Sequence, residues 1–263
     1  HINKQEKESE FMDRQALVCR NILEKPDITQ REMAKNMDIS LGTVNGLVKE
    51  CLAEGYIAEK ENGKEKHLIL LEKGKELLKP YKVDGALIIA AGFGSRFVPL
   101  TFETPKGLLE VFGERMIERQ IKQLHEVGIY DITIAVGYLK EKFEYLIDKF
   151  DVKLLYNPEY SCKNTLATVY RARKFLKGRN VYILSSDNWM RENMYHSYEC
   201  GAWYSAAHEE GETKEWCLTF NKKGRISDVN VGGKDAWFMY GPVYLSREFS
   251  ARFLPVLEAY YQI

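Results

Sequence analysis

The sequence predicts an α/β domain with a mostly parallel sheet, preceded by a small, mainly helical domain. Residues 86 to 91, Ala-Leu-Ile-Ile-Ala-Ala, form a short, wholly apolar run that stops at Gly92, the pattern of a central parallel strand feeding a glycine loop. Downstream of it, helical and strand patterns alternate, which sequential β-α units require. Upstream, from Met12 to about Lys82, charges interleave with apolar residues at helical spacing and no long buried strand is present. The composition shift near Pro80 to Asp84 sets the expected domains at 12–82 and 84–263. A length of 263 residues fits that number, at roughly 150 residues per domain.

Composition narrows the function classes. Apolar residues are 45% and charged residues 29%, which suits globular domains and excludes low-complexity chains. Lys plus Arg and Asp plus Glu number 38 each, so no overall field draws the chain to nucleic acid or membrane, and any such binding is local. Five scattered cysteines without a C-x-x-C pair point to a reduced, cytoplasmic setting. No apolar stretch approaches the length of a membrane span, and membrane insertion is not expected. Composition leaves the oligomeric state, including a homodimer, open.

In the first domain, a helix is expected over 13–24 with Ala16, Leu17, Cys19 or Arg20, and Leu23 on its inner face. Thr29 with Glu32 three residues on is a capping box that opens a second helix through Met33, Ala34 and Met37. A third helix starts near Leu41, carries Val44, Leu47, Val48 and Leu52 on one face, and ends at Gly55. Tyr56-Ile57 and His67 to Leu70 flank an Asn62-Gly63 hairpin signal. The stretch TQREMAKNMDISLGTVNGLVKECLAEGYI resembles the winged helix-turn-helix family, over roughly residues 12 to 80. The resemblance implies that the third helix enters the major groove of DNA, with Ser40, Thr43, Asn45 and Lys49 facing it. Against this stand 13 basic and 12 acidic residues over 12–82, a charge balance that suits a docking or dimerisation module equally well.

The second domain carries the main chemical signal. After the strand come Gly92-Phe93-Gly94-Ser95-Arg96-Phe97-Val98-Pro99-Leu100-Thr101, then Thr104-Pro105-Lys106. Glycine lets backbone N–H groups approach phosphate oxygens closely, and the loop lies where open α/β sheets bind ligands. Phe97 stands where a dinucleotide fingerprint needs its third glycine, and the Walker pattern is absent. Phosphate groups held at such a loop need positive charge nearby, which Arg96 and Lys106 can supply. The run is similar to the signature G-x-G-[ST]-R-x-x-P-L-T-x-x-x-P-K of sugar-phosphate and choline-phosphate nucleotidylyltransferases. That resemblance implies a Rossmann-like fold, nucleotide binding by Ala90, Ala91, Gly92, Gly94 and Ser95, and phosphate contacts by Arg96 and Lys106.

Val181 to Asp187 reads as another apolar strand that delivers a carboxylate at its end. Such a site suits Mg²⁺ held against substrate phosphates, and the resemblance makes Asp187 the metal ligand; alone, it reads equally as a helix cap. Between the two signals, helices are expected over 116–127, 140–150 and 166–176, and strands over 132–136 and 153–156. The text Tyr156 to Thr165, with Thr213-Lys214-Glu215-Trp216, is similar to bacterial choline-phosphate cytidylyltransferases. It implies transfer of CMP from CTP to phosphocholine, base recognition by the 157–164 loop including Asn157 and Asn164, and a choline cation facing Trp216 and Glu215. A hexose-1-phosphate nucleotidylyltransferase is the alternative within the class, and a metabolite-sensing transcriptional regulator the alternative outside it. The family's domain usually runs further, so a C-terminally truncated form is expected, with Asp235 a weak substitute for the second metal ligand because its setting reads as a turn.

Overall fold

A computed structural model describes residues 13–62, 65–222 and 226–262. The chain divides into two compact units, one holding the residues up to Lys82 together with Tyr198–Gly201, the other holding the rest. The short segment 198–201, which the sequence places with the later domain, therefore packs with the earlier one. Cys200 joins its core, and Glu199 meets Arg20 at 2.9 Å.

The first unit runs α1 (Arg14–Glu24), α2 (Gln30–Asn36), α3 (Leu41–Ala53), β1 (Ile57–Asn62), β2 (Glu65–Leu70) and α4 (Glu72–Leu78). Each of the first three helices starts where a side chain can take its free N–H groups. Asp13 accepts from Gln15 and Ala16, Thr29 and Glu32 close a reciprocal capping box, and Ser40 accepts from Thr43. The β1 and β2 strands pair antiparallel from Ile57 opposite Leu70 to Asn62 opposite Glu65; the Gly63 turn lies outside the described residues. The core is Ala16, Val18, Cys19, Ile22, Met33, Val44, Val48, Cys51, Ile57 and Leu78. Leu23, expected inside, is 40% exposed, because the buried stripe of α1 runs through Cys19 and Ile22 instead. The helices, caps and two-stranded wing make this a winged helix-turn-helix region.

The second unit is a mixed α/β sandwich. Its strands are β3 (Gly85–Ala90), the small pair β4 (Glu110–Val111) and β5 (Glu114–Arg115), then β6 (Ile132–Val136), β7 (Lys153–Tyr156), β8 (Val181–Ser185), β9 (Trp203–Phe220) and β10 (Ile226–Leu245). Its helices are α5 (Met116–Glu126), α6 (Tyr145–Phe150), α7 (Thr165–Arg171), α8 (Arg173–Leu176) and α9 (Arg247–Tyr261). The main sheet has the order β7-β6-β3-β8-β10-β9. Its first four strands are parallel, while β10 runs antiparallel to both neighbours.

Alternation along β3 explains why its sequence is apolar throughout. Ala86, Ile88 and Ala90 pack with Ile117, Ile121 and Leu124 of α5, whereas Leu87 faces the other way onto Val169, Leu176 and Leu257 of the helices opposite. Two expected helices are interrupted. Lys140–Phe143 is a 3₁₀ turn ahead of α6, and α7 and α8 are separated at Ala172, whose ψ of 2° leaves the helical range and lets Leu176 seat in the core. Asp235, read as a turn, lies within β10 at φ 48°, at an irregularity of the β9–β10 pairing. Among the described residues no helix is long and apolar enough to cross a membrane.

Candidate active site

Because β3, β6, β7 and β8 are parallel, their carboxyl ends share one edge of the sheet, and the signature residues gather there. From Ala90 the chain passes Ala91 and Gly92 and turns at Gly94, in the left-handed region at φ 64°. The carbonyl of Gly94 then accepts from Phe97 N at 2.9 Å and from the Thr101 hydroxyl at 2.9 Å, which closes the loop on itself. A side chain at Gly94 would be strained in conformation and would also meet Thr101 at 3.0 Å.

The loop returns through 3₁₀ turns to Lys106, which lies beside Asp187 just beyond the end of β8. The Lys106 ammonium donates to Asp187 Oδ2, and the Ser185 hydroxyl donates to Asp187 Oδ1. Lys106 also stands 4.4 Å from the centre of the Phe97 ring. Burial pushes the Asp187 carboxyl up, but Lys106 and Ser185 outweigh it and hold it below the usual aspartate value. Asp187 is thus an ionised, hard oxygen donor. Gly107 makes this approach feasible, since a Cβ there would lie 2.6 Å from both Cβ and Oγ of Ser186.

The turn that carries Asp187 is fastened from behind by α5. The buried Gln120 donates through Nε2 to the carbonyls of Ser185 at 2.9 Å and Asn188 at 2.6 Å. Gln123 and Arg119 hold the carbonyl of Met190. Sequence reasoning missed Gln120 and Ser185; only Ser185, two residues before the acid at a strand end, had a visible signal. The side chain of Arg96 lies outside the described residues, though its backbone is on the 3₁₀ turn Ser95–Phe97. A cavity of about 250 Å³ lined by Glu103, Thr104, Pro105, Leu108, Arg115, Lys142 and Tyr145 flanks the loop and excludes Lys106 and Asp187.

Residues 85–209 match the family model described as Nucleotidyl transferase, and residues 20–58 match the one described as Winged helix-turn-helix DNA-binding. The chain is 37% identical over 156 residues to a choline-phosphate cytidylyltransferase of Streptococcus pneumoniae, covering 59% of this chain and 67% of that protein. The chain belongs to the nucleotidyl transferase family. It is also 36% identical to a 2-aminoethylphosphonate cytidylyltransferase of Lancefieldella rimae, over 61% of this chain and 66% of that one. Among solved structures, the CTP:phosphocholine cytidylyltransferase of Streptococcus pneumoniae superposes with a TM-score of 0.64 at 33% identity, covering 68% of this chain and 78% of that chain. The chain spans about two thirds of the length of the curated relatives it matches.

Other residues of this nucleotidyl transferase are placed with varied consequences. Asn157 is wholly buried: its Nδ2 donates to Thr168 at 2.9 Å and its Oδ1 accepts from Glu159 N at 3.0 Å. Its side chain therefore shapes the 157–164 loop from within. Asn164 is exposed and caps α7 through Leu166 N at 3.0 Å. Trp216 is 56% exposed on β9, opposite Val231, and makes no ring contact with another aromatic side chain among the described residues. Glu215 is exposed beside it. Of the other aromatic residues after Asp187, Trp203 packs against Tyr182 and Tyr244 in the core, Trp189 lies between Phe112 and Arg119, and Trp237 meets His208. Among the described residues, these ring contacts are separate and do not form a closed aromatic cage. Asp235 is already engaged, accepting from Gly211 N at 2.8 Å. No group of three or more His, Cys, Asp or Glu among the described residues gathers to hold a metal. A single ionised carboxylate such as that of Asp187 is chemically compatible with Mg²⁺, which takes one or two carboxylates plus substrate oxygens.

In the winged region, the Ser40 and Thr43 hydroxyls meet at 2.8 Å and serve the start of α3. Asn45 and Lys49 are exposed on α3, four residues apart and so on one helix face.

Proposed function

We propose that the second unit transfers CMP from CTP to phosphocholine, giving CDP-choline and pyrophosphate. The observation that carries this reading is the Lys106–Asp187 pair under a self-closed glycine loop at the carboxyl ends of β3 and β8. The two relatives described above are cytidylyltransferases, which favours CTP as donor. Backbone N–H groups of the 91–95 turn receive phosphate oxygens, and Arg96 and Lys106 balance their charge. Asp187 would hold a Mg²⁺ ion, which would supply further neutralisation of phosphate charge when bound. On nucleotide binding, Lys106 exchanges its present carboxylate partner for phosphate. The exposed Trp216 supplies an aromatic face for the trimethylammonium group, with Glu215 contributing charge.

A pyrophosphate-release assay with CTP and Mg²⁺ across phosphocholine, 2-aminoethylphosphonate, phosphoethanolamine and glucose-1-phosphate tests the assignment. Preference for phosphocholine is expected, and turnover with the sugar phosphate alone would overturn it. The 36% identity to a 2-aminoethylphosphonate enzyme makes that acceptor the second reading, since its primary ammonium needs a hydrogen-bond acceptor that Glu215 can provide.

The winged helix-turn-helix match supports a further role for the first unit in binding DNA through α3, with Asn45 and Lys49 toward the bases or phosphates. With basic and acidic residues nearly balanced in this region, the binding is expected to be weak and to fall as salt is raised. Absence of DNA binding at low ionic strength would leave this unit as a docking module.

A further inference from the structure

The 157–164 loop, between β7 and α7, is pinned from a distant part of the chain. Its Glu159 collects three donors: the Tyr261 hydroxyl at 2.6 Å, Arg171 at 2.7 Å and 3.1 Å, and Lys163 at 3.1 Å. Tyr261, at the end of α9, also stacks its ring on Tyr170 of α7, with centroids 3.7 Å apart and planes 9° from parallel. The Lys163 ammonium stands 3.9 Å from the same ring. The Tyr261 hydroxyl, Arg171 and Lys163 together hold the Glu159 carboxyl down at about 2, so the carboxylate is ionised at any ordinary pH.

The consequence reaches the glycine loop through the next residue. The backbone around Glu159 is set by Asn157, and the carbonyl of Glu159 accepts from Cys162 N at 3.2 Å and Lys163 N at 2.9 Å. Tyr160 is thereby presented to Phe93, with ring centroids 5.2 Å apart, and Phe93 in turn lies 5.0 Å from Tyr138. Phe93 stands between Gly92 and Gly94, so the wall made by Tyr160 borders the turn whose amides are proposed to receive the phosphates.

We propose that Tyr261 is a positioning residue, latching the 157–164 loop through Glu159 so that Tyr160 braces the glycine loop for the nucleotide. The role rests on the cytidylyltransferase reading of this edge of the sheet. Tyr261 touches no reacting atom; it acts by restricting the loop before the nucleotide arrives, which lowers the ordering cost of binding.

The test compares Tyr261→Phe, which keeps the stack and loses the hydroxyl, with Tyr261→Ala and Glu159→Gln. Binding of CTP with Mg²⁺ is measured by calorimetry, amide exchange is followed over 157–164, and the melting temperature is recorded. Tyr261→Ala is expected to weaken CTP binding about tenfold and Tyr261→Phe about threefold. Exchange at Cys162 and Lys163 should quicken in the same order, with melting temperature and acceptor KM close to wild type. CTP affinity unchanged in all three variants, or exchange unchanged in the loop, would overturn the latch. So would a fall in melting temperature that tracks the loss of affinity, because Tyr261 would then be merely structural. If the wild-type protein binds a different nucleoside triphosphate and not CTP, the cytidylyl reading fails, and the same variants measured with that nucleotide decide the latch separately.

Discussion

The two sides of the second unit differ in how far they are built. At the carboxyl edge of β3 and β8 the side chains are tied to one another: Lys106 to Asp187, Thr101 to Gly94, Gln120 to the Asp187 turn. Along the β9–β10 ribbon, by contrast, Trp216, Val231, Trp237 and Tyr240 are each about half exposed or more. Triphosphate recognition is served by backbone amides and fixed charges, which work only when held rigidly. A small organic cation is attracted by the quadrupole of an aromatic face, and a single exposed ring can offer such a face without a network of tied side chains. The difference teaches that the sheet edge is organised by side chains tied to one another, whereas the aromatic residues of the ribbon stand exposed and separate.

If that contrast holds, the largest loss follows from the rigid side. Lys106→Ala should reduce kcat by about 10²- to 10³-fold, measured by steady-state pyrophosphate release, with little change in the fold by circular dichroism. Gly107→Ala comes next: its Cβ would press on Ser186 at 2.6 Å, so a destabilisation of about 1–3 kcal/mol is expected in urea titration, together with lower activity. Trp216→Ala should raise the KM for phosphocholine roughly fivefold to thirtyfold while leaving the KM for CTP and the melting temperature nearly unchanged. An equal effect on both KM values would show that the ribbon also serves the nucleotide. The smallest effect belongs to the other unit, where Thr29→Ala removes half of a capping box and should cost about 1 kcal/mol of that unit's stability without altering transfer.

The Lys106–Asp187 pair also sets an acid limit. The folded carboxyl of Asp187 titrates below its unfolded value, so the pair's contribution to stability is complete above the ordinary carboxylate range and fades as pH falls through the lowered value. Asp187→Asn should flatten that part of the stability profile, as measured by thermal unfolding between neutral and acid pH.

Much of the fold is readable from local pattern. The β6 and β7 strands lie over the residues their apolar runs predict, and the Thr29–Glu32 capping box forms because its two partners are only three residues apart. The interrupted helices at 140–150 and 166–176 were not readable, since ψ at Ala172 and the 3₁₀ turn before α6 answer to packing against the sheet and not to propensity. At the site, Lys106 and Asp187 stood out as a motif and a strand end, but their direct pairing spans 81 residues of chain. Asn157 shows the opposite case: an amide in a suggestive stretch turns out to be buried and bonded to Thr168 and Glu159, which local pattern does not reveal.

By itself the sequence determined the two-part organisation, the α/β class of the later part, and the glycine loop with its Pro-Lys partner, because each depends on residues near one another in the chain. Only the tertiary structure decided that Tyr198–Gly201 belong with the earlier unit, that Gln120 supports the turn bearing Asp187, and that Tyr261 reaches Glu159. Those contacts join residues tens of positions apart, and no local periodicity encodes which distant side chains a folded sheet will bring within hydrogen-bond reach.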